Sequence, residues 1–443
     1  MSNPEALKPY RKKRSAANVV SERAERIRAP YSAMVEIADR CNEACVHCYQ
    51  VQGQKGELDT AEWKRIFGEL AEMGVMFLTI SGGEPTLRKD FMDLVAHARR
   101  LRFAVKIYSN ALNINEAMAR EFGRLAVQEV QISLYSHRPE VHDQVTRVPG
   151  SFEHVVAATR HLRAAGVKVL LKSPLLKHNA SEFSDYVDLV TSLGADYALD
   201  PHLSPREDGD PGPTRLGATK HEYFAVKRDP RFRAPRDDER PRPPQRDKGG
   251  DRPCGACSGN VHIEANGELR PCTQWGIPTG HASQEGVRAA WEQDPAARAI
   301  RDLTWSDLPL CRTCDLQAYC QRCFADAERL SGNAVAPYAR ACRGARWQYE
   351  LAHGVEPEID SSNDYCEAEP VGPFERNGEH RFLTRASTSG PGSTPMRPWL
   401  GPADPNAAPA ALERGQLVQL RRRANGPFTQ LAAPPSDLKE LRD

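Results

Sequence analysis

Cys41-Asn42-Glu43-Ala44-Cys45-Val46-His47-Cys48-Tyr49 sets three thiols in one short stretch with the spacing C-x3-C-x2-C. Soft thiolates suit iron–sulfur clusters, and a cubane of four irons held by three cysteines keeps its fourth iron open to a substrate or cofactor. A structural zinc site wants four ligands, and His47 stands too close to Cys48 to be a comfortable fourth. A disulfide pair and buried free thiols are the remaining readings of this stretch.

Working outward, the loop follows a short β-rich run, Ala33 to Ile37, and precedes a helical pattern from Thr60 to Met73. Asp59 is its N-cap, Trp63, Ile66, Phe67 and Leu70 share one face, and Gly74 stops it. Strands at 76–80, 104–108, 129–134, 168–173 and 196–199 alternate with helices at 90–101, 152–165 and 181–193. This is the signature of a parallel α/β sheet, whose sites form on the loops after the strands' carboxyl ends. The polar turns Ser81-Gly82-Gly83-Glu84-Pro85, Ser109-Asn110-Ala111 and Tyr135-Ser136 all fall at that end and are expected to converge on the cysteine loop.

Composition narrows the classes. The 443 residues, 40% hydrophobic, are enough for two or three domains with a sizeable core. Lys+Arg 60 against Asp+Glu 59 gives a net charge of +1, so no global field points to nucleic acid. Basic residues Arg11 to Arg14 are not followed by an apolar segment, and no run approaches a membrane span, so the expected location is the cytoplasm. Twelve cysteines in a reducing compartment read as metal ligands rather than as a disulfide framework. Residues 1–30 form an extension, 204–253 a Pro/Arg-rich linker around a short helix near His221 to Lys227, and 346–443 a low-order tail with one plausible helix, Leu412 to Arg423.

The cysteine loop after strand one, Gly82-Gly83-Glu84-Pro85 after strand two and six β/α pairs together resemble the radical S-adenosylmethionine (SAM) superfamily over about residues 31–203. The resemblance implies a partial (β/α)6 TIM-like barrel in which Cys41, Cys45 and Cys48 hold a [4Fe–4S] cluster that binds SAM. It further implies SAM contacts from Gly82 and Gly83, which let backbone approach a ligand, and from Glu84, a carboxylate for the methionyl ammonium. Tyr49 would lie against the adenine. Asn110, Ser133 and Arg147, the last in a His-Asp-x-x-x-Arg element, are the further SAM contacts that the resemblance implies, and Lys172 is placed only as lining the site.

A second set reads Cys254-x2-Cys257-x9-Gly267-x4-Cys272, then Cys311-x2-Cys314-x5-Cys320-x2-Cys323-x18-Cys342. It is similar to the SPASM module of many radical SAM peptide-modifying enzymes, expected here over 254–345, with one residue fewer between Cys320 and Cys323 than that pattern has. The module implies two auxiliary [4Fe–4S] clusters, one on Cys254, Cys257, Cys272 and Cys323 and one on Cys311, Cys314, Cys320 and Cys342. Two zinc ribbons fit the C-x2-C pairs equally well in isolation. Cys366 matches no motif.

Function follows from the resemblance: reductive SAM cleavage to a 5′-deoxyadenosyl radical, then oxidative modification of a peptide or protein side chain. A haem or porphyrin oxidoreductase, an electron carrier and a zinc-ribbon binder are the alternatives. Implied partners are a peptide or protein substrate, a reduced flavodoxin- or ferredoxin-type electron donor and a separate peptide-recognition protein, with neither nucleic acid nor membrane. No catalytic acid or base is assigned.

Overall fold

The computed structural model describes residues 24, 28–229, 231, 250–308 and 310–357. The candidate helix at Leu412 to Arg423 and Cys366 lie outside the described residues. In order come β1 (Ser32–Ala38), α1 (Thr60–Glu72), β2 (Phe77–Gly82), α2 (Phe91–Arg100), β3 (Ala104–Ser109), α3 (Glu116–Arg124) and β4 (Glu129–Ser133). Then follow α4 (Pro139–Thr146), α5 (Ser151–Ala164), β5 (Lys168–Pro174), α6 (Phe183–Ser192), β6 (Asp196–Asp200) and α7 (Lys220–Arg228). The second cysteine region adds β7 (Asn260–Ile263), β8 (Leu269–Arg270), α8 (Val287–Gln293), α9 (Pro295–Asp302), α10 (Phe324–Ser331) and α11 (Ala339–His353).

Local chemistry sets the helix ends. Asp59 accepts from the Glu62 amide while Glu62 reaches back to the Asp59 amide, a capping box that starts α1. Trp63, Ile66, Phe67 and Leu70 then repeat at one-turn intervals and are fully buried. Thr219 and Glu222 start α7 in the same way.

The sheet runs β6-β5-β4-β3-β2-β1-β7-β8, parallel throughout except for β8. Side chains alternate across it. Val35, Ile37, Leu78, Ile80, Val105, Ile107, Val130, Ile132, Val169 and Leu171 join the helices in one apolar core. Their sequence neighbours Glu36, Lys106, Tyr108, Glu129, Gln131 and Lys172 point the other way, giving an inner face of charge and amide. There Gln131 donates to Glu129 at 2.6 Å and the Lys172 ammonium lies 4.2 Å from the Tyr108 ring centre.

Three features differ from the sequence expectation. The sheet has eight strands rather than six, because β7 pairs with β1 in the register Ser32↔Asn260 to Val35↔Ile263 and so joins the second cysteine region to the barrel. The helix expected inside the linker is α7, and it buries Tyr223, Phe224 and Val226 in the main core. Residues 346–353, expected in a low-order tail, instead continue α11, with Trp347 and Leu351 packed against the core, and residues 358–443 lie outside the described residues. No helix among the described residues is long and apolar enough to cross a membrane.

Candidate functional site

The cysteine loop is held by backbone from two sides. From β2, the amides of Gly83 and Glu84 donate to the carbonyls of Ala38 and Arg40 at 2.7 and 2.8 Å. A Cβ at Gly82 would lie 2.3 Å from the Ala38 oxygen, and one at Gly83 2.4 Å from the Arg40 oxygen, so only glycines allow this approach. These glycines therefore serve the cysteine loop's own backbone, a reason that the Gly-Gly signal does not separate from approach to a ligand. From α4, the carbonyls of Thr146 and Val145 accept from Ala44 and Val46 at 3.1 and 3.0 Å.

The loop's thiols meet a fixed set of polar groups. The Asn110 side-chain amide lies 3.6 Å from the Cys41 sulfur and donates to the Asn42 side chain at 2.7 Å. Cys45 donates to Glu43 at 3.1 Å and lies 3.7 Å from the Tyr135 hydroxyl. His47, between the second and third cysteines, stacks edge-on against Tyr135 with ring centres 4.7 Å apart. Burial pushes the Cys41 thiol up to about 12 and raises Cys45 and Cys48 as well. Three neutral, enclosed thiols that resist ionisation are what a cationic iron cluster reverses on binding.

Glu84 is wholly buried and satisfied within the protein. Its Oε1 accepts from the Thr86 amide, the Thr86 hydroxyl and the Ser109 hydroxyl at 3.1, 2.5 and 2.8 Å, and its Oε2 accepts from the Asn110 amide at 2.7 Å. Burial raises its carboxyl, and these donors oppose the rise. One lone pair of Oε2 remains. Gly82, Gly83, Glu84 and Asn110 thus gather at the Cys41 end of the loop. Ser133 reaches the Cys45 end through the Tyr135 side chain. Tyr49 lies on another side, near Glu36 and Glu207, and its carbonyl accepts from the Glu207 amide at 2.8 Å. Arg147 is exposed, in a left-handed conformation (φ 60°) at the end of α4, directly after the Thr146 carbonyl that accepts from Ala44. In its element His142 accepts from the Tyr135 amide at 3.1 Å, and Asp143 takes the amides of Gly150 and Phe152, ordering the turn into α5.

The other cysteines sort by electrostatic neighbourhood. Burial pushes Cys257 and Cys323 up to about 12, Cys257 with a further rise from Cys272, and Cys323 with rises from Asp326, Cys272 and Cys254. Cys320, also raised to about 12 by burial, feels Cys311 and Cys314 instead. Cys320 and Cys323 therefore face different thiol groups although only two residues part them. Cys342 stands in the first turn of α11, its amide donating to the Tyr338 carbonyl at 3.2 Å. Each group has a buried arginine: Arg301 donates to the Cys257 carbonyl at 2.7 Å, and Arg322 lies 3.8 Å from the Cys311 sulfur. No sequence motif marks these arginines. No disulfide joins any of the eleven described cysteines.

Sulfur spacing bears on which metal fits. A zinc ion bonded to sulfurs at about 2.3 Å holds them within roughly 4 Å of one another. Among the described residues no three cysteine sulfurs lie within 4.8 Å of one another. Among the described residues the one tight metal-type cluster is Glu36, His262 and Glu264 on the inner face, where the Lys55 ammonium already bonds Glu264 and Glu207 at 3.0 Å each.

The Radical SAM superfamily description matches residues 35–190, and that of SPASM, an iron–sulfur cluster-binding domain, matches residues 254–315. Mycofactocin maturase MftC of Mycobacterium ulcerans (strain Agy99) is 37% identical over 170 residues, 38% of this chain and 46% of that protein. PqqA peptide cyclase of Methylocella silvestris is 24% identical over 305 residues, 64% of this chain and 80% of the relative. The chain spans about half the length of the first curated relatives it matches. Among solved structures, Streptococcus suis SuiB bound to precursor peptide SuiA superposes with TM-score 0.53 at 15% identity, covering 73% of this chain and 80% of SuiB. Histidine-tagged anSMEcpe with bound AdoMet superposes with TM-score 0.56 at 14% identity, covering 73% and 93%. These likenesses establish the fold.

Proposed function

We infer that this chain, which belongs to the radical SAM superfamily and carries a SPASM iron–sulfur module, is a peptide maturase that oxidatively modifies a side chain of a peptide or protein. The observation that carries this reading is the three-thiol loop locked between the exit of β2 and the end of α4, read beside relatives named for peptide maturation and cyclisation.

In this reading Cys41, Cys45 and Cys48 hold the catalytic [4Fe–4S] cluster, and the two SPASM sets hold Cys254, Cys257, Cys272 and Cys323, and Cys311, Cys314, Cys320 and Cys342. Held by Cys41, Cys45 and Cys48, the cluster would supply one-electron reductive cleavage of SAM, and with it hydrogen abstraction from the substrate. The chain's own groups prepare the site. Asn110 orients Cys41 and Asn42, while Tyr135 and Glu43 fix Cys45. Glu84 keeps one Oε2 lone pair for an ammonium while its other bonds tie the exit of β3 to that of β2. Arg301 and Arg322 offset the negative charge that four thiolates bring to each auxiliary cluster. A reduced flavodoxin- or ferredoxin-type protein would be the electron donor, and a separate recognition protein would deliver the peptide.

The test is anaerobic. The reconstituted protein with strong reductant is expected to form 5′-deoxyadenosine from SAM, and the triple variant with Cys41, Cys45 and Cys48 changed to Ala is expected to form none. Co-production with a short peptide encoded beside the gene should shift that peptide's mass. Undiminished 5′-deoxyadenosine from the triple variant would refute the assignment.

A further inference from the structure

Directly after Cys48 the chain runs as a short strap, Tyr49 to Lys55, before the turn that leads to α1. The strap closes over the third thiol, with the Gln50 amide and the Gln52 side chain approaching the Cys48 sulfur as donors. Its far end returns to the exit of β1, where the Gly53 amide donates to the Asp39 carbonyl at 2.9 Å and the Lys55 amide to the Asp39 carboxylate at 2.6 Å. Its near end is paired with the loop after β6. There the Glu207 amide donates to the Tyr49 carbonyl at 2.8 Å, and the Glu207 carboxylate accepts from the Val51 amide at 3.3 Å.

One ammonium joins these pieces to the second cysteine region. Lys55 Nζ lies 3.0 Å from Glu207 and 3.0 Å from Glu264, the latter in the turn that follows β7 and leads on to Cys272. Arg270 also holds Glu264 at 3.2 Å, and the Leu58 amide donates to the Ala265 carbonyl at 2.8 Å, so that turn is a fixed point. The side chains of Lys55, Glu207 and Glu264 are only 18%, 14% and 5% exposed. Water screens such a site weakly, and removing the cation leaves two poorly solvated carboxylates near each other.

We propose that Lys55 is a positioning residue for SAM binding: it ties the strap over Cys48 to the turn after β7 and so holds the third thiol in place. The inference rests on the reading of Cys41, Cys45 and Cys48 as the ligands of the SAM-binding cluster. In that reading Glu84 and the thiol loop serve one ligand from two sides. Glu84 is fixed by its bonds to the exit of β3, whereas Cys48 depends on the strap. A strap that is already ordered when SAM arrives takes nothing from the binding energy. A loose strap must be ordered by it, which weakens binding but restores the same bound geometry. Lys55 therefore acts on SAM affinity rather than on the cleavage step, and it links that affinity to the region of the auxiliary cysteines.

The test compares Lys55→Met, Glu207→Ala and the double variant with the parent, all full-length and iron-loaded under anaerobic conditions. Hydrogen–deuterium exchange without SAM is read first. The amides of residues 49–55 are expected to exchange roughly tenfold faster in each single variant, with residues 104–133 and the iron content unchanged. KM for SAM is expected to rise roughly tenfold, while kcat for 5′-deoxyadenosine stays within about threefold of the parent. Because the two residues share one ion pair, the double variant is expected to fall short of the product of the single effects. Parent-like exchange and KM in Lys55→Met, faster exchange throughout the protein, a fall in kcat at unchanged KM, or effects that multiply in the double variant would each overturn the proposal. Should Lys55→Met fail to fold, Glu207→Ala decides alone, and parent-like exchange of its strap overturns the proposal equally. Exchange is read without SAM, so a parent that forms no 5′-deoxyadenosine refutes the cluster reading separately from the tie itself.

Discussion

The backbone amide of Asn110 donates to Oε2 of Glu84 at 2.7 Å, so the loop after β3 hangs on the carboxylate that ends β2. The same Asn110 places its side-chain amide 3.6 Å from the Cys41 sulfur. Glu84 thereby sets the position of a group next to the thiol as well as offering an oxygen to a ligand.

Glu84→Gln tests both roles. An amide NH2 cannot accept from Asn110 or Ser109, and it no longer attracts an ammonium. Loss of one charge-assisted contact is worth about 1.5–3 kcal/mol, so SAM affinity is expected to fall roughly ten- to a hundredfold. Iron content is expected to hold, because no thiol is removed. Equilibrium SAM binding and iron analysis on parent and variant check this, and equal SAM affinity would leave Glu84 as a purely structural tie.

Gly83→Ala probes the backbone lock. The added Cβ meets the Arg40 carbonyl oxygen at 2.4 Å, and backbone cannot yield as a flexible side chain would. The start of the cysteine loop must move away from β2. Iron is expected to drop from about twelve to about eight atoms per chain, the loss of one four-iron cluster of three. The variant should also lose SAM cleavage, and full iron with normal cleavage would show the lock to be unnecessary.

A pH effect follows from the inner face. Burial lifts the Glu36 carboxyl to about 8; Lys55 opposes the rise, and Glu264 and Glu207 add to it. His262, 3.7 Å away, is lowered to about 4 by burial, so both are neutral near pH 7 and form no ion pair. Since the folded value of Glu36 exceeds the ordinary one near 4.5, folding takes up a proton between the two. Its contribution to stability is complete below about 4.5 and is lost as the pH rises through about 8, by at most about 1.4 kcal/mol per unit. Glu36→Gln removes this slope. Anaerobic urea unfolding at several pH values from 5 to 8 should show the variant gaining on the parent as pH rises, whereas parallel curves would mean that Lys55 keeps Glu36 ionised.

What could be read in advance was local. Asp59, the face from Trp63 to Leu70 and the alternation along β1 to β6 are short-range patterns, and they place the sheet and its polar turns. β7 was not legible, because four residues, Asn260 to Ile263, become a strand only by pairing with β1, more than two hundred positions earlier. Arg301 and Arg322 were hidden for the same reason, since an isolated arginine gains meaning only from the thiol beside it. The His142–Asp143 pair shows the converse. Its sequence pattern suggested a cofactor contact at Arg147, while its visible work is to orient Tyr135 and start α5.

The shortened spacing Cys320-x2-Cys323 yields the sharpest test of the auxiliary sets. Cys320 follows a single helical turn, Gln317 to Tyr319, and sits among Cys311 and Cys314. Cys323 is the N-cap of α10 and sits with Cys272 and Cys254, so the intervening Arg322 spans the two groups. Cys320→Ala and Cys323→Ala should therefore damage different clusters. In a background with Cys41, Cys45 and Cys48 replaced by Ala, about eight irons per chain are expected, and each further change should remove or convert about four. Electron paramagnetic resonance of the reduced proteins should then show two distinct residual signals whose sum matches the background. One shared residual spectrum would mean that both cysteines serve the same cluster and that the missing residue has altered the ligand pairing.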